Sequence, residues 1–162
     1  MTEVAGSPEW AVPIVLVLMG LGMTAGNLVG GHLADIDLRR TLLFGLAAMA
    51  VVFALLAVLA FWIVTLALLV FVVGFVSSVL SPTIQTRLMD VAGDNQSIAA
   101  AMNHSALNIG NSLGAFLGGV VIAAGWGFVA PSWTGAALAV AGLLIALLSY
   151  RSEARRPVLT AA

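Results

Sequence analysis

Two long stretches of this sequence contain no Asp, Glu, Lys or Arg: Ala11 to Ala34, and Thr41 to Thr86. About 20 apolar residues are enough for a helix to cross the hydrocarbon core of a bilayer. Hydrophobic residues make up 62% of the chain, against about 45–50% in a soluble domain. A globular fold of 162 residues could not bury that much apolar surface. The sequence therefore predicts an all-α integral membrane protein.

The second uncharged stretch is about twice as long as one membrane span, because a helix rises about 1.5 Å per residue. We expect it to form a hairpin that turns near Phe61, where aromatic side chains suit the membrane interface. Further polar or turn-forming segments occupy residues 81–97 and 125–133. These breaks predict five transmembrane helices, at about residues 11–34, 41–60, 62–82, 97–124 and 134–150. An extracytoplasmic segment (1–10) precedes them and a cytoplasmic tail (151–162) follows.

The basic residues are distributed asymmetrically about these spans. All six are arginines, and they follow the first, third and fifth spans: Arg39, Arg40, Arg87, Arg151, Arg155 and Arg156. With five spans they all fall on one side of the membrane. Short loops rich in Arg are retained in the cytoplasm, so we expect the N-terminus outside and the C-terminus inside.

Glycines recur every four residues in two of the spans. Gly22, Gly26 and Gly30 form one stripe, and Gly110, Gly114 and Gly118 form another. Such stripes lie along one helix face and allow two helix backbones to approach closely in lipid. We expect both to be helix-packing faces, of an ordinary structural kind or for an external partner. The second and fifth spans lack long stripes and are expected to face lipid.

The fourth span also carries His104, Asn108 and Asn111, which fall within about 60° of one another around a helix. Polar side chains in a span usually face the bundle interior or a water-filled path. They are therefore candidates to line a substrate pathway, with Asn27 as a further candidate. Alternatively, they only form hydrogen bonds with neighbouring helices. The absence of charged residues within the spans argues against a carboxylate proton relay there and favours neutral or amphipathic cargo.

Sequence motifs of enzymes are missing. The chain has no P-loop, HExxH or GxSxG pattern. It has no cysteine, so neither a disulfide nor a Cys-type metal site can form. We expect no enzyme activity, no cofactor and no metal.

Two segments carry a resemblance to a known family. "GGHLADIDLRR", residues 30–40, resembles the loop signature of the major facilitator superfamily, in the copy between the eighth and ninth helices. "SPTIQTRLMDVAGDNQSIAAAMNHSALNIGNSLGAFLGG", residues 81–119, resembles the tenth-to-eleventh helix region of its drug:proton antiporter branch, which includes sugar-efflux and chloramphenicol-resistance permeases. The loop motif maps onto Gly30, Gly31, Asp35, Arg39 and Arg40. Asp37 stands where the family often has a basic residue, so the turn is expected to differ.

The resemblance implies that residues 11–150 correspond to helices eight to twelve of a twelve-helix fold. The chain would then be a C-terminal fragment of an efflux permease in the bacterial inner membrane. It would export small, drug-like or sugar-like molecules by alternating access, coupled to proton entry, with the N-terminal half as partner. In the family the loop motif helps to lock the two halves together at the cytoplasmic face. The alternative is a small, non-transporting membrane protein that binds other transmembrane helices through its glycine stripes.

Overall fold

The computed structural model describes residues 10–154, which form helices and turns without a strand in that range. The helices are α1 (Ala11–Leu59), α2 (Ile63–Ala92), α3 (Gln96–Ala123) and α4 (Ala130–Ala154). A single 3₁₀ turn, Gly93–Asn95, separates α2 from α3. Residues 1–9, expected outside the cell, and the tail residues 155–162, expected in the cytoplasm, lie outside the described range.

Helix α1 is interrupted at Asp37, whose backbone is extended at φ −154° and ψ 93°. The hydroxyl of Thr41 donates a hydrogen bond of 2.8 Å to the carbonyl oxygen of Leu33. In a continuous helix, residues eight apart would be separated by about 12 Å. The chain therefore bends sharply here, and we call the two arms α1a (residues 11–36) and α1b (residues 38–59).

Asp37 stabilises the break by capping the second arm. Its Oδ1 accepts a hydrogen bond of 2.9 Å from the backbone N–H of Arg40, three residues later. An extended backbone and this side-chain bond are the features of a helix N-cap, which satisfies an amide that has no partner within the helix. Oδ2 of Asp37 also lies 3.0 Å from Nε of Arg40. The residue that departs from the family loop motif thus begins α1b.

Helix α1a packs against α2 along its glycine stripe. Gly22, Gly26 and Gly30 face the backbones of Phe71, Phe75 and Val79, respectively. A Cβ at Gly30 would lie only 2.7 Å from the Cα of Val79, so glycine is required by the close approach. Because the residue numbers of both partners rise together, α1a and α2 are parallel.

The second arm, α1b, lies between α2 and α4. Leu42 and Met49 of α1b form a buried cluster with Val76 and Leu80 of α2. The expectation that the second span faces lipid is therefore wrong for the side of α1b that carries Leu42 and Met49. An apolar helix surface suits lipid and a protein interior equally, so its composition could not distinguish the two environments.

Helix α2 continues beyond the expected end of the third span at residue 82 and reaches Ala92. Pro82 lies within the helix and removes one backbone donor. The next residue, Thr83, is fully buried and its hydroxyl donates 2.7 Å to the carbonyl oxygen of Val79. The carbonyl that Pro82 leaves without its helical donor is that of Ser78, four residues earlier, so the Thr83 bond satisfies the buried Thr83 hydroxyl and does not replace the bond that the proline removes.

The bundle has two chemically distinct ends. Arg39 and Arg87 both contact Tyr150 at one end. The tryptophans lie at the other end, where α1 and α2 begin and where α3 turns into α4: Trp10, Trp62, Trp126 and Trp133. Within the described residues, α1a, α1b, α2, α3 and α4 each run between these two ends. Gly125 and Gly127 adopt positive φ angles of 79° and 82° in the α3–α4 turn.

Three helical stretches of the described chain are long and apolar enough to cross a membrane. They are Ala11–Leu59, Ile63–Ala123 and Ala130–Ala154, which contain 18-residue segments with mean hydropathies of 2.9, 2.8 and 1.8, respectively. The first two are far longer than the roughly 20 residues of one span. Each also contains a break, at Asp37 and at Gly93–Asn95 respectively.

Candidate functional site

Side chains from three helices meet at the arginine-containing end of the bundle. The guanidinium carbon of Arg39 lies 5.1 Å from the ring centroid of Tyr150, and that of Arg87 lies 4.6 Å from it. Arg87 also forms an ion pair with Glu153. This Tyr150 cluster connects the start of α1b with the ends of α2 and α4.

Because these side chains are partly buried, their interactions are expected to be stronger than those of a fully exposed surface pair. The side chain of Arg87 is 20% exposed and that of Glu153 is 40% exposed. Guanidinium groups over an aromatic ring are attracted by its π electrons, more strongly when water is excluded. The hydroxyl oxygen of Tyr150 is buried and has no hydrogen-bond partner among the described residues, so the contribution of this side chain comes from its ring.

The residues of the loop motif have different environments. Gly30 is buried against Val79, whereas a Cβ at Gly31 would meet nothing within 4 Å. Arg39 extends toward Tyr150 and Arg40 pairs with Asp37.

Asp35 is exposed and forms no ion pair with another described residue. A role for this motif in locking two transporter halves stays a prediction.

Helix α3 is the least covered helix of the bundle. Its only buried residues are Ala99 and Asn103, and it packs mainly against α2 and α4. The predicted pathway residues His104, Asn108 and Asn111 are all exposed. They share one face of α3, as their spacing requires.

A shallow groove on α3 includes one of these residues. Asn108 and Ser112 contribute polar groups to it, and its apolar lining is Ile109, Leu113 and Phe116. His104 and Asn111 do not line the groove. Asn27 is exposed on a different helix, α1a, so the structure does not bring it into this groove.

The glycine stripe of α3 differs from that of α1a. A Cβ at Gly110 or Gly114 would meet no atom within 4 Å, and one at Gly118 would lie 3.8 Å from Cβ of Pro131. The part of this stripe at Gly110 and Gly114 is therefore open in the described chain.

Sequence reasoning missed Tyr150, Glu153 and the capping role of Asp37. Tyr150 is the single tyrosine of the chain, but no local spacing connects it to Arg87, which is distant in sequence. The motif contained one usable signal for Asp37, because Asp is a preferred N-cap residue. Among the described residues, no group of three His, Cys, Asp or Glu side chains could hold a metal ion.

Comparison with known families identifies the class of the protein. Residues 5–162 match the Major Facilitator Superfamily, and the chain belongs to that family. Complete proteins of this family are transporters, and the match confirms the resemblance carried by the loop motif and the Asn/Gly-rich span.

Individual relatives support the same assignment. The chain is 35% identical over 142 residues to the "Inner membrane transport protein YdhP" of Escherichia coli (strain K12), covering 88% of this chain and 36% of that protein. It is 32% identical over 146 residues to the "Chloramphenicol resistance protein" of Streptomyces lividans, covering 90% and 37%. An "Uncharacterized MFS-type transporter YfhI" of Bacillus subtilis (strain 168) is 29% identical over 152 residues, with coverages of 92% and 38%.

The chain thus spans little more than a third of the length of these curated relatives. No solved structure matches it. The family, the inner-membrane relative and the apolar helices together identify a multi-pass protein of the bacterial inner membrane.

Proposed function

We propose that this chain forms part of the C-terminal half of a major facilitator efflux permease and crosses the membrane five times. The five helical segments running between a tryptophan-bearing end and an arginine-bearing end support this number. Tryptophan favours membrane interfaces, and arginine favours the cytoplasmic side. The arginine end would then be cytoplasmic, with the N-terminus outside and the C-terminus inside.

The exposed polar face of α3 is the observation that carries the proposal. A helix that presents His104, Asn108 and Asn111 directly to hydrocarbon would leave strong hydrogen-bonding groups without partners. The same face turned toward a water-filled cavity would keep them hydrated and able to bind cargo. In a transporter with two halves, such a cavity lies between the halves near the middle of the membrane.

The cargo class follows from the chemistry of this face. Amide and imidazole groups offer hydrogen bonds, while the neighbouring groove on α3 is lined by Ile109, Leu113 and Phe116. Such a surface fits a small amphipathic molecule with polar groups. Chloramphenicol is a suitable first probe, because one relative is named as a resistance protein for it. We propose export by alternating access, driven by proton entry.

Transport measurements on paired variants test this function. Cells expressing the permease that contains this segment are loaded with labelled chloramphenicol, with and without a protonophore. Asn111→Ala should change the efflux rate by about fivefold to tenfold, the effect of losing one hydrogen bond, at unchanged membrane levels. Met102→Ala is the matched control, because Met102 is exposed on the opposite side of α3. Equal effects of the two variants, or efflux insensitive to the protonophore, would contradict the proposal.

One observation favours a second function, the binding of another transmembrane helix without transport. The open stripe at Gly110 and Gly114 is the kind of surface that such a helix would occupy. Gly114→Ala should not lower the stability of the chain itself, because the added Cβ would meet no atom of a neighbouring element within 4 Å. Two results together would establish the second function. The unmodified protein would export no substrate, and the variant would lose a membrane protein that co-purifies with the unmodified protein.

A further inference from the structure

Two grooves flank one exposed aromatic side chain near the Asp37 break. The side chain is Phe44 of α1b, which is 73% exposed. The first groove lies among α1a, α1b and α2, and its walls include Leu33, Ala48 and Val79. The second follows α1b alone and includes Leu43 and Ala47. Phe44 forms a wall of both, so the two grooves run side by side.

Both grooves begin at the same pair of charged side chains. Asp37 and Arg40 line each of them, and Arg39 lines the second. At about 1.5 Å per residue, α1b descends by about 12 Å from Arg40 to Ala48 in the first groove and by about 10 Å from Arg40 to Ala47 in the second. The greater of these depths approaches half of the roughly 30 Å hydrocarbon core. Each groove therefore passes from a charged mouth at the end of the bundle into an apolar zone.

The charge available at this mouth is cationic. Asp37 already accepts the backbone N–H of Arg40 through Oδ1 and contacts Nε of Arg40 through Oδ2. The side chain of Arg40 remains 79% exposed. Arg39 is held over the ring of Tyr150 and is also exposed. Two guanidinium groups and one internally satisfied carboxylate leave a net charge of +1 among the groove-lining groups, and Asp35 lines neither groove.

We propose that this double groove binds one anionic phospholipid. Its phosphodiester would lie between Arg39 and Arg40, and its two acyl chains would lie on either side of Phe44. Arginine binds phosphate oxygens through several N–H donors at once. Basic groups between transmembrane helices are known to select anionic headgroups. The proposal requires insertion into a membrane but does not depend on transport.

Lipid retention tests the site directly. The 162-residue chain is reconstituted in vesicles of equal phosphatidylglycerol and phosphatidylcholine, extracted gently, and its bound lipids are counted by native mass spectrometry. Phosphatidylglycerol should be enriched, and each arginine removed from the mouth should reduce the enrichment by about fivefold. Arg39→Gln tests this without disturbing the Asp37–Arg40 pair, and Arg39→Gln with Arg40→Gln should abolish the preference. Arg151→Gln is the control, because it removes the same charge at the same end but lines neither groove.

Further measurements distinguish a lipid seated in the groove from a headgroup bound alone, from general charge attraction and from a second copy of the chain. Ala47→Leu fills the second groove without changing charge, and it should reduce retention of phosphatidylglycerol. If Arg151→Gln lowers the enrichment as much as Arg39→Gln, the attraction belongs to the whole interface and the site is rejected. Thermal unfolding is also compared with glycerol 3-phosphate and with phosphatidylglycerol. If both stabilise the protein equally, the acyl chains contribute nothing and the grooves do not bind them. A disulfide between two copies of Ala47→Cys would show that protein covers the groove, and it would also overturn the proposal.

Discussion

The ring centroid of Tyr150 lies 4.6 Å from the guanidinium carbon of Arg87, and this contact joins the end of α4 to the end of α2. Arg39 approaches the same ring from α1b. A residue near the end of the described chain thus connects three helices that a sequence pattern alone treats as separate spans.

Substitution of Tyr150 should separate the role of its ring from that of its hydroxyl. Tyr150→Ala removes a ring that contacts two guanidinium groups, and it should destabilise the protein by roughly 2–4 kcal/mol. Tyr150→Phe should have little effect, because the buried hydroxyl has no partner among the described residues to lose. Thermal unfolding in detergent measures both. If Phe were as damaging as Ala, the hydroxyl would be bonded in the folded protein and the ring would not be the main contributor.

The close packing of α1a on α2 predicts opposite effects for two glycines in one helix. Gly26→Ala should destabilise the protein by about 1–3 kcal/mol, because its Cβ would overlap the backbone of Phe75. Gly31→Ala is the control, since its Cβ would meet nothing within 4 Å, and alanine should raise stability by up to about 1 kcal/mol. Unfolding measured by the same detergent assay compares them, and equal effects would show that α1a and α2 do not touch along this stripe.

The Asp37 cap makes a third prediction about stability. Asp37→Ala should cost about 1 kcal/mol, because the backbone N–H of Arg40 loses its acceptor. Asp37→Asn keeps an acceptor and loses only a solvent-exposed ion pair, so its effect should be at most about half of that. Asp35→Ala should be neutral, because Asp35 is exposed and has no ion pair among the described residues. A larger loss for Asp35→Ala than for Asp37→Ala in thermal unfolding would contradict the cap.

The proposed topology can be tested with single cysteines, because the chain has none of its own. Phe61→Cys, at the tryptophan-bearing end, should react with an impermeant thiol reagent added to intact cells. Ser152→Cys, exposed at the arginine-bearing end, should react only after the membrane is opened. Labelling of position 152 in intact cells would reverse the orientation.

Some of this architecture could be predicted from residues and some could not, for reasons that are physical. Charge interrupts the apolar runs at Asp35 to Arg40, so a break there follows directly from the exclusion of charge from hydrocarbon. The partner of each glycine stripe is not encoded locally. Gly26 meets Phe75, whereas Gly114 meets nothing among the described residues, although both stripes have the same spacing.

Packing inside the membrane was the hardest feature to predict. The burial of Leu42 and Met49 in α1b was missed because lipid and protein interiors favour the same side chains. The Tyr150 cluster was missed because its members are far apart in sequence. The polarity of His104, Asn108 and Asn111 could be recognised in the sequence, but their exposure depends on how α3 packs.

The most direct test of a transport pathway along α3 is the reactivity of cysteines on its two sides in an actively transporting permease. Asn111→Cys should react with a membrane-impermeant methanethiosulfonate reagent, the modification should block chloramphenicol efflux, and added chloramphenicol should slow the reaction. Met102→Cys, on the opposite side, should react slowly and without loss of efflux. If position 102 is modified fast while position 111 does not react, or reacts at a rate that chloramphenicol does not change, the polar face of α3 does not line the transport pathway.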